Sequence, residues 1–358
     1  MNKSFWTDRR VLLTGHTGFK GSWLALWLSQ MGARVSGYAL APDTDPSLYQ
    51  LARVDELVDS TLGDIRDRDA LENTVQRTQP EIVLHLAAQA MVRESYADPT
   101  GTFDTNVMGT VNLLEATRQC ASARAVMIIT SDKCYQNQEW EWGYREIDSL
   151  GGHDPYSASK ACAELVARSW RLSFMGQGGQ DTRRCAVATA RAGNVIGGGD
   201  WARDRLVPDI LRSIDNGQDV VLRNPQAVRP WQHVLEPLSG YLLLAERLYS
   251  EGAPWDQAWN FGPADSDARC VSWIAEHLMR ECNSDSRWKL ESGTLAHETQ
   301  QLRLDCSRAR QRLGWIPRWT LEQCLQEIVR WHSAWLNGRD MQCFSQETIA
   351  RYSEKTDP

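Results

Sequence analysis

Along the first half of the chain, short apolar runs alternate with stretches of helical period. Arg10-Val11-Leu12-Leu13-Thr14 predicts a buried strand, and Gly18 to Met31 a helix with Trp23, Leu24, Trp27 and Leu28 on one face. Ala33 to Tyr38 and Leu57 to Thr61 read as the next strands, followed by a polar helix from Asp69 to Arg77. Glu81-Ile82-Val83-Leu84-His85-Leu86 is a fourth strand, and His85 on this apolar run reads as a core histidine. Asp104 to Ala116 has helical period, and Val126-Met127-Ile128-Ile129 is the fifth strand. Pro155 to Phe174 is the next helix, and Cys185 to Ala190 the next strand. Such alternation predicts an α/β fold with a doubly wound, parallel Rossmann-type sheet whose ligand lies at the strands' carboxyl ends.

The second half changes character. Asp200 to Asp209 opens a helix, Glu236 to Tyr249 is an amphipathic helix expected to pack back on the first domain, and Trp259 to Pro263 is a short strand and turn. Val271 to Cys282 and Leu321 to Leu336 are helices. A length of 358 residues exceeds one small core. The expected division is a cofactor-binding domain over 1–190 and a smaller mixed α/β substrate domain over 191–340, with some segments returning to the first. A polar tail over 341–358 is expected to be partly mobile.

Composition narrows the function classes. The formal charge of −7, without a basic stripe, excludes a general nucleic-acid binder, though a local pocket for a small phosphorylated ligand stays open. No run approaches the roughly 20 apolar residues of a membrane span, and polar Met1 to Arg10 has no signal-peptide core, so a cytoplasmic location is expected. Nine cysteines scattered without a Cys-x-x-Cys pair point to reduced thiols rather than a disulfide or metal framework. Trp140, Trp142, Trp201 and Trp231 lie beside polar motifs and are candidates for a site wall.

The candidate chemistry begins between the first strand and helix. In Gly15-His16-Thr17-Gly18-Phe19-Lys20-Gly21 the glycine spacing suits a tight turn that brings backbone amides and a helix N-terminus against a pyrophosphate. The second strand ends without an acid at its tip and without basic residues after it, which favours NAD over NADP with modest affinity. Asp64 is either an acceptor for the adenine amino group or a helix N-cap. Leu86, Ala87 and Ala88 permit close backbone approach to the cofactor, and Asn106 is either a packing amide or a support for the catalytic loop.

After the fifth strand come Ser131, Asp132 and Lys133, and the following helix carries Tyr156 and Lys160 one turn apart. A tyrosine has a pKa of ~10, and a nearby ammonium together with a cationic nicotinamide favours its phenolate, a base for a sugar hydroxyl. Asn194, Arg205 and Arg229 are candidates for the sugar diphosphate, since arginine binds pyrophosphate in a bidentate manner. His297 is a candidate for the nucleotide.

The glycine pattern, Asp64-Ile65, His85-Leu86-Ala87-Ala88, Asn106, Ser131 and Tyr156-x-x-x-Lys160 together resemble the extended short-chain dehydrogenase/reductase superfamily. Leu304-Asp305-Cys306-Ser307-Arg308-Ala309 with Leu313-Gly314-Trp315 resembles the tail motif of its nucleotide-sugar branch. The Gly15 to Trp23 stretch, Ser131 to Tyr135, Gly151 to Tyr156 and Gly193 to Trp201 resemble the CDP-glucose dehydratase family in that branch. This resemblance implies NAD, CDP-glucose as substrate, and a redox-neutral dehydration to CDP-4-dehydro-6-deoxyglucose that feeds deoxysugar or O-antigen synthesis. It also implies a homodimer built through helices beside the catalytic one, and it assigns Arg229 as the stronger phosphate ligand.

The dTDP-glucose dehydratases place an Asp-Glu pair where this chain has Asp132-Lys133, so the base for C5 needs another identity. Lys133 acts there directly, or it stabilises the enolate while another group moves the proton. Asp132 as general acid requires a pKa raised by burial. A nucleotide-sugar 4-epimerase, a dehydratase for another nucleotide-hexose and a non-catalytic NAD-binding regulator are the alternatives.

Overall fold

The computed structural model describes residues 2–175, 185–264, 267–291 and 302–354. The apolar runs form parallel strands: β1 (Arg10–Thr14), β2 (Arg34–Ala39), β3 (Asp59–Leu62), β4 (Ile82–His85), β5 (Ala125–Ile129) and β6 (Ala186–Ala192). Every residue of β4, β5 and β6 is buried, as expected where helices cover both faces of a parallel sheet. The second half supplies β7 (Val195–Ile196), β8 (Val220–Leu222), β9 (Val228–Pro230), β10 (Gln232–His233), β11 (Ala258–Phe261), β12 (Ala268–Cys270) and β13 (Trp288–Leu290).

The main sheet has seven strands in the order β11-β6-β5-β4-β1-β2-β3. Registers such as Thr14↔His85, His85↔Ile128 and Ile129↔Ala190 bring the carboxyl ends of β1, β4, β5 and β6 to one edge. The order reverses between β1 and β4, and the crevice at that switch point is where such sheets bind ligands. The predicted strand and turn at Trp259 is β11, an edge strand of this same sheet paired to β6. The helix Leu235–Glu251 lies against β5 and β6, so the amphipathic segment does return to the first half.

Three two-stranded ladders, β7 with β10, β8 with β13 and β9 with β12, organise the substrate side. Val207, Ile210, Leu222, Ile274, Leu278 and Leu325 form its own core. A continuous cluster joins both halves through Trp23, Leu28, Leu238, Trp315, Trp331 and Tyr352. Trp23 is fully buried, and its indole Nε1 donates to Gly198 O at 3.0 Å, fixing the cofactor helix to the glycine loop after β7. Truncating a side chain of this size in a core costs about 3–5 kcal/mol.

The polar end differs from its expectation. Met341–Glu354 is a helix whose Phe344, Ile349 and Tyr352 are buried, and it packs on the cofactor helix Phe19–Gln30. Its polar composition covers one face only. Tyr352 also donates to the buried carboxylate of Glu236 at 2.6 Å.

Candidate active site

The cofactor loop is shaped by what glycine permits. Gly15 has φ +75°, and a Cβ there would lie 2.7 Å from Ala87 N, so β1 can turn only because the residue has no side chain. A Cβ on Gly21 would lie 1.9 Å from the Gly15 carbonyl oxygen. The helix Phe19–Gln30 begins at Gly18 without a side-chain cap, which leaves its first-turn amides directed toward the switch-point crevice. Leu86 N donates to Thr14 O at 3.2 Å and Ala87 N to Thr14 Oγ1 at 3.2 Å, so the segment 86–88 borders the same loop. Thr17 donates its hydroxyl to Leu40 O at 2.8 Å, tying the loop to the end of β2, and the Phe19 ring reaches the position a Cβ on Gly197 would occupy.

One adenosine-side reading changes. Arg66 donates to the Asp64 carboxylate through Nε at 3.0 Å and Nη2 at 2.6 Å, and this contact lowers its pKa, so Asp64 is an ionised acceptor. Asp64 is not the helix cap, because Asp67 accepts from Ala70 N at 3.0 Å. Ile65 is buried against Gly109. At the tip of β2 the His16 ring packs over Gly37, with Nε2 2.7 Å from Ser60 Oγ. Burial lowers the His16 pKa to about 4, so it is neutral. Asn106 has its amide fully engaged, accepting from Gln89 N at 2.9 Å and donating to Gln89 O and Ser159 Oγ at 3.0 and 2.8 Å. Its place is therefore a brace between the segment after β4 and the catalytic helix. His85 is a satisfied core histidine, 2.7 Å from Thr14 Oγ1 through Nδ1.

The reaction centre is built where β5 ends and the helix Pro155–Ser173 begins. Ser131 accepts from Lys133 N at 3.2 Å, closing a single 3-10 turn over Asp132–Cys134. Asp154 caps the helix by accepting from Ser157 N at 2.9 Å, and Pro155 occupies its first turn. Residues four apart then place Tyr156, Lys160 and Glu164 on one buried face. Lys160 Nζ donates to Ile129 O at 3.3 Å, directly under the Ser131 loop.

Burial governs the titration here. Asp132 accepts from Ser131 Oγ at 3.0 Å through Oδ1, while Oδ2 is buried without a partner. Desolvation raises its pKa against the lowering effects of Lys133, Ser131 and Arg229. In the protein alone, burial raises the Tyr156 phenol to about 12, with Ser131 and Arg205 pulling the other way. Lys160 is itself lowered to about 8 by burial. The protein alone thus holds Tyr156 as a neutral phenol.

Arg205 and Arg229 both approach this centre. Arg205 Nη1 lies 3.5 Å from the buried Asp200 Oδ2, and its charge acts on Lys20 and Tyr156. Arg229 on β9 donates to Val228 O at 3.1 Å, and its charge acts on Asp132. Asn194 lies half-buried between β6 and β7, its carbonyl accepting from Gln232 N at 3.0 Å. His297 lies outside the described residues. Trp201 packs on Trp331 and Trp335, and Trp231 is core, donating to Arg269 O at 3.1 Å. Trp140 stacks on Tyr144, whereas Trp142 is exposed.

Lys20 and Tyr241 are the residues sequence reasoning missed. Burial lowers the Lys20 amine to about 7, with Arg205, Lys160 and Asp132 as its charged neighbours, and it sits 6.0 Å from the Tyr241 ring centroid. The available signal was a lysine in the first turn of an otherwise apolar helix. Among the described residues, no group of three or more His, Cys, Asp or Glu side chains is placed to hold a metal ion.

Comparison with known proteins agrees with this geometry. The family model described as GDP-mannose 4,6 dehydratase matches residues 12–328. The chain is 53% identical over 356 residues to a CDP-glucose 4,6-dehydratase of Salmonella typhimurium strain LT2, covering 99% of each. Among solved structures, a dTDP-glucose 4,6-dehydratase from Streptomyces venezuelae with NAD and TYD bound superposes with a TM-score of 0.78 at 23% identity, over 93% of this chain and 99% of the other. A UDP-glucose-4-epimerase from Stenotrophomonas maltophila with bound NAD and formylated UDP-arabinopyranose gives 0.79 at 22% identity, over 92% and 99%. These two show the fold that dehydratases and epimerases share; the 53% relative and the family model place the chain itself, which belongs to the GDP-mannose 4,6 dehydratase family of the extended short-chain dehydrogenase/reductases.

Proposed function

We propose that this chain is an NAD-dependent hydro-lyase that converts CDP-glucose to CDP-4-dehydro-6-deoxyglucose. The observation that carries the reading is the buried Asp132 carboxylate, its Oδ2 without a partner, beside Ser131 and Tyr156. Dehydration needs a proton donor at that place and 4-epimerisation does not. The 53% identity to a CDP-glucose 4,6-dehydratase supports both the reaction and the sugar nucleotide.

The residues fit NAD. Gly15, Gly18 and Gly21 leave an open, uncapped helix start, and the backbone of Leu86, Ala87 and Ala88 walls it. NAD held there would supply the hydride acceptor for C4 of the sugar and, once reduced, the hydride donor for C6. Tyr156, hydrogen-bonded by Ser131, takes the C4 hydroxyl proton, and Lys160 grips the nicotinamide ribose. Because burial holds the phenol near 12, proton loss waits for a positive charge to enter the pocket, which confines base formation to the loaded enzyme.

The ketone at C4 acidifies C5–H. Asp132 gives its proton to the C6 hydroxyl, which leaves as water, while an amine holds the C5 proton and later returns it to C5. Lys133 and Lys20 both lie close enough to Asp132 to act on its charge. Lys20, near neutrality, adds a second candidate for that amine. Single-turnover exchange of C5–H with solvent in Lys133→Met and Lys20→Met variants assigns the role: the variant that keeps the wild-type exchange rate loses its claim.

Asn194, Arg205 and Arg229 bind the diphosphate side, and His297 the nucleotide. Incubation with NAD and a panel of nucleotide-glucoses, followed by product mass, tests the whole assignment. CDP-glucose should lose one water; an isobaric product overturns the reading in favour of an epimerase. Exposed Leu165 and Leu172 on the catalytic helix, with exposed Tyr96 and Met108 on elements packed against it, support a homodimer, measurable by sedimentation. No helix among the described residues is long and apolar enough to cross a membrane, and the cysteines described are all free, which supports a cytoplasmic location.

A further inference from the structure

Below the reacting groups lies a second set of buried polar side chains that the mechanism above does not use. Glu164 follows Lys160 by one helical turn and is 4% exposed; Arg191, on β6, is 3% exposed. Their side chains meet in a two-pronged contact, Arg191 Nε to Glu164 Oε1 at 2.9 Å and Nη2 to Oε2 at 2.7 Å. Each carboxylate oxygen accepts one more hydrogen bond, from Thr130 Oγ1 at 2.5 Å and from Thr189 Oγ1 at 2.7 Å. The remaining guanidinium nitrogen, Nη1, donates to Tyr135 OH at 2.7 Å, and Tyr135 in turn donates to Asn260 Oδ1 at 2.8 Å.

The placement of these partners matters. Thr130 is the residue before Ser131, and Tyr135 is the residue after the turn that carries Asp132 and Lys133. The network therefore grips both ends of the reacting loop, the helix that carries Tyr156 and Lys160, and the strands β6 and β11. A buried ion pair is a poor source of stability, because desolvation offsets most of its attraction, whereas a fully bonded one defines a single geometry. Here all four carboxylate contacts are made, and they fall on the elements whose relative position decides whether Ser131, Tyr156 and Lys160 meet one sugar carbon.

We infer that the Glu164–Arg191 pair is a positioning device for hydride transfer: it locks the catalytic helix to the Ser131–Tyr135 loop and sets a carboxylate one turn below the Lys160 ammonium. The inference rests on the roles given above to Tyr156 and Lys160. Burial opposes charge on Glu164, yet Arg191, Thr130 and Thr189 together keep its pKa lowered, so the carboxylate is ionised. It is the largest influence that raises Lys160 against desolvation. The other titratable or charged groups around Lys160 are Tyr156 on the same helix, Asp132, Lys133 and Cys134 on the turn, His85 on β4, Lys20 on the cofactor helix and Arg191 on β6. Apart from Glu164 itself, the carboxylate in this set is Asp132, and Cys134 is held as a neutral thiol by burial.

The test is Glu164→Gln in the full-length enzyme, with Glu164→Gln/Arg191→Met as a second variant that leaves no unpaired buried charge. At saturating NAD, kcat should fall on the order of 10- to 100-fold with the KM for CDP-glucose unchanged, the loss expected when reacting groups are displaced by about 1 Å. The alkaline limb of the kcat profile, which marks loss of the Lys160 proton, should move to lower pH in both variants. A kcat loss that merely tracks the folded fraction overturns the inference, as does a limb that stays at its wild-type position or a change confined to KM. Wild-type product mass is measured alongside, so a failure of the dehydratase reading is seen separately from a failure of the positioning role.

Discussion

The cofactor cradle and the reaction centre lie at neighbouring strand ends, yet they are made of different material. The cradle is backbone: Gly15 and Gly21 matter because no Cβ is there, and its polar groups are amides that do not titrate. The reaction centre is side chain: the pKa values of Asp132, Tyr156, Lys160 and Lys20 are each displaced first by burial. A site of the first kind is specified by local sequence, because a missing side chain is a local property. One of the second kind depends on whatever the rest of the chain folds over it.

This contrast can be broken by substitution. Tyr156→Phe should reduce kcat about 1,000-fold, within the range for loss of a positioned acid or base, while calorimetry finds CDP-glucose binding retained. A loss under tenfold would mean that the phenol is not the base. Gly21→Ala should raise the NAD dissociation constant about 100-fold, or about 2.7 kcal/mol, because its Cβ would meet the Gly15 carbonyl. Activity should recover at high NAD if cradle and reaction centre are as separable as argued.

Asp132→Asn sharpens the reaction centre itself. Loss of water should slow about 100-fold while C4 oxidation continues, so the absorbance of reduced nicotinamide should accumulate above its wild-type level. Absence of that signal would place Asp132 before hydride transfer rather than after it.

The smallest effect tests burial as the cause of titration, away from the site. Glu236 accepts from Trp319 N at 2.8 Å and Arg318 N at 3.0 Å, yet desolvation raises its pKa to about 7. A raised folded-state pKa means that its contribution is fully present below the unfolded value of ~4.3 and is lost as pH rises through about 7. The wild type should therefore lose thermal stability relative to Glu236→Gln between pH 5 and pH 8, by roughly a few degrees in Tm. Parallel melting curves would contradict this.

Much of the fold was legible because it follows from period and punctuation. The strands of the seven-stranded sheet, the helix over Leu321–Leu336 and the catalytic helix fall within a residue or two of their predicted bounds, since apolar runs with turn residues between them have few other solutions. The helix Met341–Glu354 was not legible: its buried face is sparse, and only the docking of Phe344 and Tyr352 on neighbouring helices reveals it. The pairing of Asp64 with Arg66, two residues on, was not legible, because charge pairing at that range has no periodic signature.

By itself the sequence determined the sheet, the glycine cradle and the residue types at the reaction centre, because each is a matter of local spacing. Tertiary structure alone decided where those groups titrate. It buried Tyr156 and pushed its phenol up to about 12, brought Lys20 and Arg205 from opposite halves to one pocket, and joined Glu164 to Arg191 beneath it. Spacing along a chain sets which face a side chain takes; only the packed fold sets how much water it keeps, and that sets its proton.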